Sequence, residues 1–109
     1  MNIKRFQKEN SEGAHNDTIL GSKVLPDGMT APFEHFYGFL ECDGTMDGHA
    51  HPTDEIYIVM QGDGIVTISD EKCKVSAGDV VEIPADIWHT MSNESGKPLL
   101  WAAIWWEKV

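Results

Sequence analysis

Turn chemistry recurs every 6 to 12 residues along this chain, and a sequence punctuated so often has no room for long helices. The run from Thr18 to Leu25, with β-branched Thr18, Ile19 and Val24, ends at Pro26, Asp27 and Gly28. An aromatic run from Phe33 to Glu41 ends at Cys42, Asp43 and Gly44. Gly62 to Gly64 separate Glu55–Gln61 from Ile65–Ser69, and Asp70 to Lys72 make the next tip. Cys73–Val75 and Val80–Ile83 flank a turn at Ala77 to Asp79, Pro84 stops the second of these, and Trp88–Ser92 and Leu99–Trp106 complete the series. No window longer than ten residues carries an apolar stripe at helical spacing. The pattern predicts an all-β domain of short strands, either a sandwich or a closed barrel. Residues 2 to 17 are polar apart from Ile3 and Phe6 and fit an edge strand, a helical turn or a loop equally well.

At 109 residues and 41% hydrophobic, the chain is one domain with a modest core. Its longest apolar stretch, Leu99 to Trp106, falls far short of the roughly 18 to 20 residues that cross a bilayer. The N-terminus lacks the apolar segment of a secretory signal, so a cytoplasmic location is expected. Eighteen acidic residues stand against 8 basic ones, for a net charge of -10, and Arg5 is the single arginine. Nucleic acid and sugar phosphates are therefore poor partners, and the acidity reads as solubility. Cys42 and Cys73 form no C-x-x-C pair and are expected as free thiols without assigned function.

The last run, Leu99 to Trp106, does not alternate with polar residues, so both its faces must be covered. One face meets the domain's own core. In so small a domain the other is expected to meet a second subunit, which predicts a homodimer.

His49 and His51 are two apart and Glu55 is four further on, so along extended backbone the three side chains leave one face. His89, on a later strand, could reach the same interior in a curled antiparallel sheet. Three imidazoles and a carboxylate suit manganese, iron, cobalt, nickel, copper or zinc, and suit calcium or magnesium poorly. An H-x-H pair alone is also what two surface loop residues beside Gly48 and Pro52 would look like. The flanking spacing separates the two readings: six residues lie between Glu55 and Gly62, fifteen more before Gly78, five before Pro84, four before His89 and three before Asn93.

In these residues, from 43 to 93, the chain resembles the cupin superfamily, whose motifs run G-x5-H-x-H-x3,4-E-x6-G and G-x5-P-x-G-x2-H-x3-N. Position by position, His49, His51, Glu55 and His89 match the metal ligands, and Gly62, Gly78, Pro84 and Asn93 the structural positions. Asp43 and Asp86 replace motif glycines at turn positions, where aspartate tolerates the backbone angles glycine allows. The resemblance implies a single jelly-roll β-barrel over residues 1–109, with residues 1–28 as an N-terminal arm of unsettled strand content. It also implies one divalent transition metal ion per chain at the barrel mouth, and a homodimer.

The expected function is a metal-dependent enzyme acting on a small carbonyl, phenolic or mono-carboxylate compound by oxygenase or isomerase chemistry. A noncatalytic module that binds or senses a small ligand through the same ion is the alternative. A sugar isomerase fits the apolar interior less well. Tyr57 and Val59 share the parity of Glu55 and should line the cavity, while Ile56, Ile58 and Met60 face away. His15 and His35 lie outside the motifs. His35 approaches the ion only if the face it shares with Phe33, Tyr37 and Phe39 points inward. Trp88 is expected to pack, and the candidate acid–base groups are Tyr57 and then Glu34 or His35.

Overall fold

A computed structural model describes residues 1–109. One turn of 3-10 helix, Lys8–Asn10, precedes ten strands: β1 (Glu12–Ala14), β2 (Ile19–Ser22), β3 (Glu34–Leu40), β4 (Gly44–Thr45), β5 (Thr53–Gln61), β6 (Asp63–Ile68), β7 (Glu71–Ser76), β8 (Val80–Ile83), β9 (His89–Asn93) and β10 (Leu99–Glu107). They form two antiparallel sheets, one of six strands in the order β1-β2-β3-β10-β5-β8 and one of four in the order β4-β9-β6-β7. This is the jelly-roll barrel architecture, with the two sheets facing each other across the core. No helix is long and apolar enough to cross a membrane.

The strand runs read from the sequence all appear, each shifted by at most a few residues. β1 and β4 are the additions. Neither carries a hydrophobic alternation, and each forms because a neighbour supplies the ladder: Ala14 pairs with Ile19 of β2, and Thr45 with Ser92 of β9. β5 and β6 are consecutive but lie in different sheets, so the chain crosses the barrel at Gly62.

β10 is the centre of the larger sheet, paired with β3 on one side and β5 on the other. Its inward side chains Leu99, Trp101 and Ala103 meet Tyr57, Val59, Val66, Ile83 and Met91 in the principal core. Each of the larger of these side chains contributes roughly 1.5–3 kcal/mol by leaving water, and Ala103 less. Strict alternation along β5 puts Glu55, Tyr57 and Val59 inward and Ile56, Ile58 and Met60 outward, as parity requires.

The opposite face of β10 is covered differently from the sequence expectation. Leu100 and Ala102 pack with Tyr37 and Phe39 in a second cluster, and Phe6 of the N-terminal arm lies over it, 5.4 Å from the Tyr37 ring and 5.1 Å from Phe39. The chain's own arm thus does part of what was expected of a second subunit.

Candidate metal centre

His49 and His51 do not lie in a regular strand. They belong to the segment of residues 46–52 between β4 and β5, which is held extended by bonds to the neighbouring strand β9 and to the turn before it. Met46 N–H donates to Met91 O at 2.9 Å, and His49 and His89 exchange both backbone hydrogen bonds at 3.1 and 2.9 Å. Asp86 N–H then donates to His51 O at 2.7 Å, and the Thr90 hydroxyl donates to Met46 O. Asp86 has φ 68, so this aspartate does occupy a left-handed turn position. Asp43, the other departure from glycine, takes a hydrogen bond from Gly96 N–H at 2.9 Å.

This backbone zipper brings the three motif histidines together. One ligating atom from each of His49, His51 and His89 lies within 4.8 Å of the others. Their ring centroids are 4.5 to 5.2 Å apart. Glu55 reaches the group through two of them, its Oε1 lying 2.9 Å from His51 Nε2 and 3.2 Å from His89 Nε2. His89 is wholly buried and Glu55 nearly so.

Hydrogen-bond partners fix the tautomer of His89. His89 Nδ1–H donates to Ile87 O at 3.0 Å, and His51 Nδ1 faces Thr53 O at 3.2 Å with the Thr53 hydroxyl at 2.8 Å. A carbonyl can only accept, so Nδ1 carries the hydrogen in His89 and its Nε2 presents a lone pair to Glu55. His51 has partners for either tautomer, since the Thr53 hydroxyl can donate to Nδ1 while Nε2–H donates to Glu55 Oε1 at 2.9 Å. His49 Nδ1 and His89 Nε2 are buried without a hydrogen-bond partner. Burial pushes the His49 imidazole down to about 4, with the neighbouring His15 and His89 acting in the same direction, so the ring is neutral near neutral pH. Unpartnered buried nitrogens and bare acceptors facing one another are what a site for a divalent cation presents, and this donor set fits one.

A cavity of about 330 Å³ opens onto the cluster. Ile19, Phe36, Met46, Trp101 and Trp105 give it apolar walls, and neither lysine nor arginine lines it. Tyr57 lines it too, whereas Val59 lies deeper in the core. Burial, followed by Glu55, raises the Tyr57 phenol well above its usual range, so it stays protonated. Its hydroxyl has only the thioether of Met46, 3.9 Å away, as acceptor.

Of the remaining candidates, His35 is on the outward face of β3, where its Nδ1 accepts from Val24 N–H at 2.9 Å and Leu25 N–H at 3.3 Å. It plays no part in the cluster. Glu34 is exposed, 3.8 Å from the Lys23 ammonium. Trp88 packs over Gly48, where an added Cβ would lie 2.2 Å from the indole, and remains half-exposed. Cys42 and Cys73 are free and exposed. The residue that spacing did not reveal is His15, whose ring stacks on His49 at 4.3 Å and lines the cavity. Burial and nearby His89 and His51 lower its pKa, against Glu55 and Asp47, with burial the largest influence.

A family model described as a cupin domain matches residues 40–106. Among solved structures, a Cupin 2 conserved barrel domain protein from Salinispora arenicola superposes with a TM-score of 0.86 at 25% identity, covering 98% of this chain and 89% of that one. A protein from Photorhabdus luminescens gives 0.79 at 32% identity, covering 99% and 90%. A gentisate 1,2-dioxygenase of a Ralstonia species is 32% identical over 57 residues, 51% of this chain, of which the chain spans 16% of the length.

Proposed function

This chain belongs to the cupin domain family, and from that premise we propose that it holds one divalent transition metal ion per chain through His49, His51, Glu55 and His89 and acts as a metal-dependent enzyme on a small, flat carbonyl, phenolic or mono-carboxylate compound. The observation that supports this reading is convergence: His89 Nε2, whose ring hydrogen sits on Nδ1, is buried and unpartnered 3.2 Å from the Glu55 carboxylate, and one ring nitrogen from each of His49, His51 and His89 lies within 4.8 Å of the others. Manganese, iron, nickel, cobalt, copper or zinc would each suit the nitrogen and oxygen donors. When bound, such an ion supplies Lewis acidity and, for iron or copper, access to redox chemistry.

The chain's own residues set what enters. Phe36, Trp101 and Trp105 offer aromatic walls to a planar molecule, and about 330 Å³ is at the small end of ligand cavities. Three neutral imidazoles, one carboxylate and a divalent ion sum to about +1, and no basic side chain adds to it, so one negative charge on the ligand is matched and two are not. Tyr57, a phenol kept protonated and weakly partnered, is the group able to donate a hydrogen bond to that ligand. The scarcity of other acid–base groups on the cavity wall supports the second reading, a noncatalytic module that binds a small ligand through the same ion. The similarity to part of a gentisate dioxygenase supports the oxygenase form of the first. A homodimer is proposed as well, supported by exposed Met60 and Val80 on the outward face of β5 and β8.

Elemental analysis of protein purified without a histidine tag should find about one transition metal ion per chain. His51→Ala should lose most of it, while His35→Gln keeps it. Equal occupancy in His51→Ala and the parent would sink the ligand assignment. Turnover of a small phenol or carbonyl compound by the loaded protein favours the enzyme; saturable binding without turnover favours the module.

A further inference from the structure

The turn between β1 and β2 holds three consecutive non-glycine residues in the left-handed region, His15 (φ 51), Asn16 (φ 58) and Asp17 (φ 62). A tight primed hairpin turn uses two such residues, and asparagine and aspartate suit it. His15 is the third, and its Cβ still carries the cost of the close approach that a left-handed residue makes. Strain of this kind persists only where the surroundings over-determine it.

They do so here, and the restraining partner is the metal-centre segment itself. The Asn16 side-chain amide donates to an Asp47 carboxylate oxygen at 2.5 Å, and Asp47 N–H donates to the Thr18 hydroxyl at 2.7 Å. That hydroxyl donates in turn to His15 O at 2.6 Å. Gly13 leaves the space that the Asp17 carboxylate fills: a Cβ there would lie 1.9 Å from Asp17 Oδ1. Asp47 is two residues ahead of His49 in the same extended segment, so the turn and the histidine loop are fastened together. The result is a His15 ring 4.3 Å from that of His49, with 27° between their planes, at the mouth of the cavity.

We propose, resting on the reading of His49, His51, Glu55 and His89 as metal ligands, that His15 is a positioning residue: the left-handed turn clamps its ring against His49, fixing the plane of a ligand and walling the approach to the ion. Hydrogen-bonding partners that orient a ligand without touching the metal are commonly worth tenfold or more in metal affinity, and a stacked ring restrains the same rotation of the imidazole.

Cobalt(II) alone is the probe, since its visible spectrum reports ligand geometry. In the full chain, with folding checked by circular dichroism, His15→Ala should shift the cobalt bands and weaken cobalt binding about tenfold. His15→Phe, which keeps a ring for His49 to stack on, should restore both. Thr18→Val, which removes the hydroxyl joining the turn to Asp47, should reproduce the alanine result. A His15→Ala spectrum and affinity superimposable on the parent would overturn the proposal, and so would a phenylalanine variant no better than alanine. The ligand reading is judged separately by His51→Ala. If the parent shows no cobalt binding that His51→Ala abolishes, both readings fail. If it does and His15→Ala changes nothing, only the role of His15 falls.

Discussion

A carboxylate oxygen 3.2 Å from the bare Nε2 of His89 repels it unless a hydrogen or a cation stands between them, while His51 Nε2, 2.9 Å away, can donate to the same oxygen. Glu55→Gln separates these two possibilities. The amide keeps the shape of the side chain but offers an N–H that can donate to His51 or His89 Nε2, satisfying a buried acceptor at a cost the carboxylate could not avoid. With chelator present, the variant should melt at the parent's temperature or above it. The rise in melting temperature produced by added zinc or cobalt should shrink to less than half the parent's, because an anionic donor has been lost. A variant that melted lower in chelator and kept the full metal-dependent rise would assign Glu55 a purely structural role. The convergence of these four residues was legible in the sequence because a period of two aligns positions 49, 51 and 55 and motif spacing adds 89. His15 was not, because its approach depends on a tertiary clamp to Asp47 that has no sequence periodicity.

Two turn glycines show how differently a shared backbone requirement can be built into the elements that carry the site. Gly62 joins β5 to β6 where the chain crosses between sheets, with φ 87, and a Cβ added there would lie 2.2 Å from Pro98 O. Gly78, between β7 and β8, has φ 99 but open space around it. Gly78→Ala should therefore cost only the left-handed strain, roughly 1–2 kcal/mol. Gly62→Ala adds a clash with backbone and should cost roughly 2–4 kcal/mol, read as a clearly lower denaturant midpoint at an unchanged slope. Equal midpoints for the two variants would refute the steric half of this account. The long strands β3, β5 and β10 were readable because burial on one or both faces writes itself into apolar runs. β4 was not, and β1 lay in a stretch that fits an edge strand, a turn or a loop equally well, since two or three residues without hydrophobic alternation become strand only when β2 or β9 lends them hydrogen bonds. The histidine segment of residues 46–52 is a related case: parity placed its side chains correctly, although bonds to β9 and to Asp86, and no regular strand of its own, hold it extended.

Over the whole molecule, the unbroken apolar run of β10 demands cover on both faces, and the chain's own N-terminal arm supplies part of the outer cover. Phe6 takes the area over Tyr37, Phe39, Leu100 and Ala102. What stays uncovered on that sheet lies further across, where Met60 is 49% and Val80 62% exposed. If the arm and a second copy cover different areas, substitutions in the two places should separate. Phe6→Ala should lower stability by roughly 1–3 kcal/mol, less than a fully buried phenylalanine because the ring is half-buried, and leave the mass in solution unchanged. Light scattering on the parent should give the mass of two chains, and Met60→Glu with Val80→Glu should give one chain with its strand content intact by circular dichroism. The opposite pairing, in which Phe6→Ala splits the dimer and the glutamates leave it whole, would move the interface onto the arm. In that case the second subunit would lie beside β1 and the turn that carries His15, and metal affinity would depend on protein concentration.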